Sequence, residues 1–193
     1  MSRMATDETR ERILRTASEL FYREGARAVG VDLIVERAGV AKTSLYRYFH
    51  TKDELIAAFL EREDEEFWEQ WASVAKRHPS DPQGELDAHV HWIAERLGRA
   101  NYRGCPQLNM AAEFPAPEHP ARVVALAHKR ELRRRLQGIA ERLGVRHPDE
   151  LAAQLLLLVN GAFVSSQAIA GEEALRVLLA ASHALVAAAR GAR

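Results

Sequence analysis

The sequence has a single cysteine, Cys105, and therefore cannot form an intramolecular disulfide. It has no net charge either, because 27 Lys and Arg balance 27 Asp and Glu, so binding to nucleic acid would depend on a local patch. The N-terminal segment MSRMATDETRER lacks the apolar stretch of a signal peptide. The longest aliphatic run, LLLLV at 155–159, is far shorter than the ~20 residues that cross a bilayer. These absences predict a cytoplasmic protein without a leader or a membrane span.

The motifs of common enzyme, cofactor and metal sites are also absent. No Walker loop, GxGxxG or GxSxG occurs, and the eight histidines show no HxxxH spacing. We therefore predict no enzyme activity, no cofactor and no metal site. Cys105 precedes a short predicted helix, where a thiol could be reactive, although a small buried apolar side chain is the commoner role.

Apolar residues recur at helical spacing along the whole chain, and no alternating strand pattern or internal repeat is present. The pattern predicts an all-α fold, with Asp32 as the N-cap of the second helix and with Thr51 and Glu54 forming a capping box at the start of the fourth. The predicted helices lie at about 7–24, 32–38, 42–49, 52–76, 85–100, 106–113, 120–143, 148–170 and 171–190.

The segment AGVAKTSLYRYFHTKDEL, residues 38–55, is rich in hydroxyls and bases and poor in apolar residues. Two short helices joined at Gly39 form a helix-turn-helix, in which Leu45 and Phe49 turn inward and the N-terminal end of the second helix is left for the major groove. We predict that this helix reads bases and that its neighbours bind phosphate, with the DNA-binding set Lys42, Thr43, Ser44, Tyr46, Tyr48, Lys52, Arg37 and Arg47.

Local charge supports this prediction. Residues 1–52 carry ten basic and seven acidic side chains, a net charge of +3, whereas residues 53–76 carry two basic and eight acidic side chains, a net charge of −6. The alternative is a helical corner with a solvated polar face. The basic run HKRELRRR at 128–135 could be a second nucleic-acid patch, but its side chains spread over several helix faces, and a solvated surface is the commoner outcome.

The stretch VDLIVERAGVAKTSLYRYFHTKDEL, residues 31–55, resembles the DNA-binding motif of the TetR/AcrR family of transcriptional regulators. The resemblance covers about residues 7–60. It implies a homodimer with an operator-binding head (residues 1–51) and a helical effector-binding and dimerisation domain (residues 52–193). Two positions depart from the family pattern, because Ala41 and Gly30 stand where Ser or Thr usually caps the recognition helix and the helix before it.

The last two predicted helices are apolar on nearly all sides and must therefore be covered on all sides. We predict that these helices pair with those of a second copy in an isologous four-helix interface, the alternative being a central pair buried within a monomer. The predicted interface residues are Leu156, Val159, Phe163, Leu178 and Leu185.

A dimer would place two recognition helices about 34–36 Å apart, and an effector that tilts the fourth helix would change that spacing. We predict a repressor that an apolar or aromatic ligand releases from double-stranded operator DNA. The candidate pocket residues are Trp68, Trp71, Trp92, Tyr102, Gln107, Asn109, Phe114 and His128. The alternatives are an all-helical enzyme or carrier with a vestigial head, and an architectural protein that binds DNA without sequence preference.

Overall fold

The structure is a computed structural model that describes residues 3–169 and 171–191, with side chains from Glu8 onward. The described residues form helices and no strand, in agreement with the predicted all-α fold. The helices are α1 (Arg3–Glu24), α2 (Val31–Ala38), α3 (Lys42–Tyr48), α4 (Lys52–Lys76), α5 (Pro82–Leu97), α6 (Pro106–Glu113), α7 (Pro120–Arg142), α8 (Pro148–Ser165) and α9 (Gly171–Gly191).

Most predicted helix ends are confirmed within a few residues, but α8 ends at Ser165 and not near residue 170. Two helix starts differ for local reasons. The N-cap of α2 is Gly30 without a side-chain hydrogen bond, so Asp32 lies in the first turn and does not cap the helix. Helix α5 begins three residues earlier than predicted because the Asp81 carboxylate accepts the Gly84 N–H at 2.9 Å, with Pro82 in the first turn.

The chain divides into two compact units, and α4 and α7 each contribute to both. Unit 1 comprises the chain up to Glu66 together with Pro106–His128, and unit 2 comprises Phe67–Cys105 and the chain from Lys129 onward. The boundary after residue 51, which separates a DNA-binding part from an effector-binding part, stays a prediction.

Unit 1 has its own hydrophobic core, in which α1, α2 and α3 pack on one another. Phe21 of α1 and Phe59 of α4 are fully buried, with ring centroids 6.0 Å apart. Ile34 of α2 and Leu45 of α3 are also fully buried. A core of this size holds the short helices α2 and α3, which are too short to be stable alone.

Unit 2 is built on α5, α8 and α9, which pack against one another. Its buried residues include Ile93 of α5, Leu155 of α8 and Val186 of α9, together with Trp71 from the end of α4 and Leu132 of α7.

Candidate DNA-binding surface

The turn between α2 and α3 has the geometry that the sequence predicted. Gly39 has φ +62°, a left-handed conformation that favours glycine. Its N–H donates to the Glu36 carbonyl at 3.2 Å, and the Val40 N–H donates to the Val35 carbonyl at 3.1 Å. Because these bonds end α2 sharply, only three residues separate α2 from α3, which begins at Lys42.

Helix α3 has a buried face and an exposed polar face. Leu45 and the C-cap residue Phe49 are buried in the core of unit 1, and the Arg10 guanidinium lies 5.1 Å from the centre of the Phe49 ring. The side chains of α3 that belong to the predicted DNA-binding set differ in their exposure to solvent. Lys42, Thr43, Tyr46 and Arg47 are exposed, and Ser44 and Tyr48 are half-buried. The 42% exposure of Tyr46 is high for an aromatic residue without a partner protein.

The cations of the set differ in their surroundings. The Lys42 ammonium lies 2.7 Å from the Asp32 carboxylate of α2, and this hydrogen bond raises the pKa of Lys42. Lys52, at the start of α4, is half-buried, and burial lowers its pKa although Asp53 and Glu113 oppose the shift. Arg37 is exposed at the end of α2. The sequence predicts the lysines but not the pairing of Lys42 with Asp32, because an aspartate at the start of a helix also has the pattern of an N-cap.

The start of α4 confirms the predicted capping box in a modified form. The Thr51 hydroxyl accepts the Glu54 N–H at 3.1 Å, as predicted. The Glu54 carboxylate accepts the N–H of His50, at 2.7 Å, one residue before the expected partner. This bond closes the short connection between α3 and α4 and fixes where Lys52 begins the next helix.

A glutamate outside the head holds the turn that follows α1. Glu113, the last residue of α6, accepts the Arg27 N–H at 2.8 Å and the Ala26 N–H at 3.3 Å. The adjacent Gly25 has φ +88°, and a Cβ atom there would lie 3.1 Å from the Glu113 carboxylate. The contact joins residues 86 and 87 positions apart, and no sequence signal pointed to it.

Known bacterial regulators are similar to this chain, and the similarity includes the residues of α2 and α3. Residues 13–59 match the profile of bacterial regulatory proteins of the tetR family. The solved structure of SAV143, a TetR-type transcriptional regulator from Streptomyces avermitilis, is 33% identical with a TM-score of 0.80, and the alignment covers 94% of this chain and 97% of that one. The chain belongs to the TetR family of bacterial regulatory proteins.

Two other relatives agree with this assignment. SCO4454, a TetR-family regulator from Streptomyces coelicolor, is 29% identical with a TM-score of 0.90, and the alignment covers 95% of this chain and 97% of that one. The transcriptional activator FasR of Mycolicibacterium smegmatis is 46% identical over 61 residues, which are 32% of this chain and 28% of FasR. The chain thus spans less than a third of the length of FasR. These relatives are regulators and not enzymes, as the sequence predicted for this chain.

The predicted effector residues of this TetR-family chain fall into both units. Gln107, Asn109, Phe114 and His128 belong to unit 1. Gln107 is buried, and its amide N–H donates to the Leu60 carbonyl at 3.1 Å, while the buried ring of His128 contacts the Asp64 carboxylate. Among the described residues the Gln107 amide oxygen has no hydrogen-bond donor. Asp64 was not predicted, because it lies within an acidic run that resembles a solvated face.

Trp68, Trp71, Trp92 and Tyr102 belong to unit 2. The three tryptophans lie in a packed aromatic cluster. Trp71 stacks on His89 with ring centroids 3.6 Å apart, Trp92 lies 4.8 Å from Phe67, and the Arg135 guanidinium covers Trp68 at 4.4 Å. Trp71 and Trp92 are buried in this packing, which makes them core residues of unit 2.

His89 lies at the centre of the polar part of this cluster. It is 1% exposed, and burial lowers its pKa to about 3, so its ring is neutral at pH 7. The nearby Glu85 carboxylate, 3.7 Å from His89, is instead held at 2.6 Å by the Arg142 guanidinium.

Cys105 is buried, and its sulfur lies 3.6 Å from the Lys129 ammonium. Within residues 3–169 and 171–191 no group of three or more His, Cys, Asp or Glu side chains is arranged to hold a metal ion.

The predicted dimer-interface residues differ in how exposed they are, and the interface itself stays a prediction. Val159, Phe163 and Leu178 are buried within unit 2, and Leu178 lies at the wall of an apolar groove. Leu156 and Leu185 are half-buried. The large apolar residues of α8 and α9 that are exposed are Leu157, at 72%, Val164, at 73%, and Val177, at 39%. Leu157 and Val177 border the groove, which has a volume of about 340 Å³.

Helix α9 is also long and apolar enough, by length and composition alone, to span a membrane. Its middle, however, carries His183, whose ring contacts the Asp87 carboxylate of α5 at 2.8 Å, and the fully buried Ser182. One such helix is weak evidence for a span, and packing on α5 and α8 accounts for its apolar inner face.

Proposed function

We propose that this TetR-family protein is a sequence-specific transcriptional regulator that binds operator DNA through α3. The observation that carries the proposal is the pair of faces on α3, since buried Leu45 and Phe49 fix the helix while Thr43 and Tyr46 stay exposed. A helix held in this way presents its N-terminal side chains to base edges, and the surrounding hydroxyls and cations bind phosphate.

The operator is found by selecting bound fragments from a random oligonucleotide pool. Replacing Thr43, Ser44 and Tyr46 together by alanine should then lower affinity for the selected operator by about two orders of magnitude, since each lost contact is worth roughly 1 kcal/mol. Replacing Gln70 and Ser73, two exposed residues of α4, should leave affinity unchanged. Unaltered operator binding by the folded triple variant would contradict the proposal.

Salt titration separates specific regulation from architectural binding. Each neutralised phosphate lowers log affinity by about 0.9 per unit of log salt for any DNA. A regulator additionally binds its operator ~10³-fold or more tightly than random DNA. An architectural protein would show the salt dependence without that preference.

A homodimer formed through α8 and α9 is part of this proposal. The exposed apolar side chains of Leu157, Val164 and Val177 lie on two helices that pack side by side, as a four-helix interface requires. Leu157→Glu should give monomers in sedimentation experiments and weaken operator binding. Ser73→Glu, which adds the same charge at an exposed position of α4, should sediment like the wild type.

We further propose that the protein is a repressor and that a small apolar or aromatic ligand with a hydrogen-bond donor releases it. The support is the buried Gln107, whose amide oxygen has no hydrogen-bond donor among the residues that the structure describes. A screen for small molecules that displace operator DNA tests this proposal, and Gln107→Leu should lose the response while retaining DNA binding. The sign of regulation needs a reporter assay, because FasR is an activator.

A further inference from the structure

An acidic side chain lies beside the base-reading end of the proposed recognition helix. The Lys42 ammonium and the Asp32 carboxylate are 2.7 Å apart, and both side chains are largely exposed, at 51% and 82%. Asp32 is in the first turn of α2, so the contact bridges the two helices of the helix-turn-helix. A carboxylate on a surface that faces phosphates weakens binding to DNA in general, and its presence there calls for a physical reason.

The pair changes what Lys42 does on DNA. A free lysine is a mobile point charge that binds any phosphate it reaches, and it releases a counterion without reading sequence. An ion pair of a lysine and a carboxylate has no net charge and therefore attracts phosphates weakly. Two of the three ammonium hydrogens are still free to donate to the acceptors of a base edge. Asp32 therefore removes the unspecific part of the contribution of Lys42 and leaves the specific part.

We propose that Asp32 is a specificity-determining residue, which holds Lys42 away from phosphates and directs it toward a base. The inference rests on the proposed function of α3 as the operator-reading helix. Asp32 acts through Lys42 and is a positioning residue, so its effect must disappear when Lys42 is absent.

The test measures affinity for the selected operator and for random duplex DNA over a range of salt concentrations. Asp32→Asn should raise affinity for random DNA by roughly fivefold, about the strength of one exposed ion pair, and should steepen the salt dependence by about 0.9. The ratio of operator to random affinity should fall. Glu36→Gln is the matched control, because it removes one exposed carboxylate from the same helix and carries no contact to Lys42.

A double-mutant cycle decides whether the effect passes through Lys42. In a Lys42→Gln background, Asp32→Asn should leave the affinity ratio unchanged. The inference is overturned if Asp32→Asn and Glu36→Gln have the same random-DNA affinity and salt slope, or if the effect of Asp32→Asn persists without Lys42. If the wild type selects no operator at all, the proposed function fails, which is a separate result from a selected operator whose affinity ratio does not depend on Asp32.

Discussion

The contact between Glu113 and the turn after α1 makes the conformation of this turn depend on α6. The carboxylate accepts two backbone N–H groups, from Arg27 at 2.8 Å and from Ala26 at 3.3 Å. Ala26 is fully buried, whereas Arg27 is exposed, so water could replace the acceptor for Arg27 but not for Ala26. Glu113→Ala therefore leaves one buried donor unsatisfied.

The size of the effect follows from this geometry. A hydrogen bond to a charged group contributes about 1.5–3 kcal/mol, and the longer, buried bond to Ala26 is the one that water cannot restore. We expect Glu113→Ala to reduce the free energy of unfolding by about 2 kcal/mol, which for a chain of this length lowers Tm by roughly 4–8 °C. Glu113→Gln keeps one acceptor oxygen without charge and should lose about half as much.

Thermal unfolding followed by circular dichroism measures the total effect, and amide hydrogen exchange localises it. The amides of Ala26 and Arg27 should exchange faster in Glu113→Ala, while those of α9 should not change. Glu118→Ala, which removes an exposed carboxylate from the same connection between α6 and α7, is the control. Equal melting temperatures for the two alanine variants, with unchanged exchange at Ala26, would refute the reasoning.

Three other predictions concern buried charge and backbone conformation. Burial lowers the pKa of His89 to about 3, below its ordinary 6.5, so the unfolded chain binds more protons and stability falls as pH drops below about 6.5. Urea unfolding should show a loss of about 2 kcal/mol between pH 7 and pH 5 that His89→Phe largely removes, and an equal loss in both proteins would contradict this origin. Arg142→Ala removes the guanidinium that pairs with the buried Glu85 carboxylate and should lower the free energy of unfolding by about 2–3 kcal/mol in the same assay. Adding Glu85→Gln to this variant should restore part of the lost stability. The absence of any restoration would show that the ion pair is unimportant. Gly39→Ala should lower the free energy of unfolding by about 1–2 kcal/mol, because φ is +62° while an added Cβ atom would contact no neighbour. Gly39→Asn should lower it less, because asparagine tolerates this conformation better. Equal stabilities of the wild type and Gly39→Ala would exclude backbone strain.

The head could be predicted in detail because its structure depends on residues close in sequence. The turn at Gly39 ends α2 through bonds that span at most five residues, and Thr51 and Glu54 start α4 within a single turn. The inward direction of Leu45 and Phe49 also follows from spacing along one short helix. The misplaced cap at Asp32 shows the limit, because Asp32 could cap a helix or pair with a lysine ten residues away.

Polar contacts between distant helices could not be predicted. Glu85 pairs with Arg142, His128 contacts Asp64, and Glu113 holds Arg27, at separations of 57, 64 and 86 residues. Helical periodicity shows which side of a helix is apolar but does not show which other helix faces it. An acidic residue that packs between helices has the same sequence pattern as a solvated one, so no signal in the sequence distinguishes the buried Glu85 or the half-buried Asp64.

The burial of Val159, Phe163 and Leu178 within unit 2 could not be predicted for a different physical reason. An amphipathic helix has one apolar side, and this side defines its orientation, whereas α8 is apolar on nearly all sides and leaves its rotation undetermined. The sequence therefore predicted that α8 is covered all round, but could not separate Phe163, which is buried in unit 2, from its neighbour Val164, which is 73% exposed. Successive helical positions are about 100° apart, so an error of one residue exchanges an internal contact for an external one. Leu157 and Val164, seven residues and about two turns apart, share the exposed side of α8, and for this reason they are the positions at which an introduced charge tests the proposed dimer.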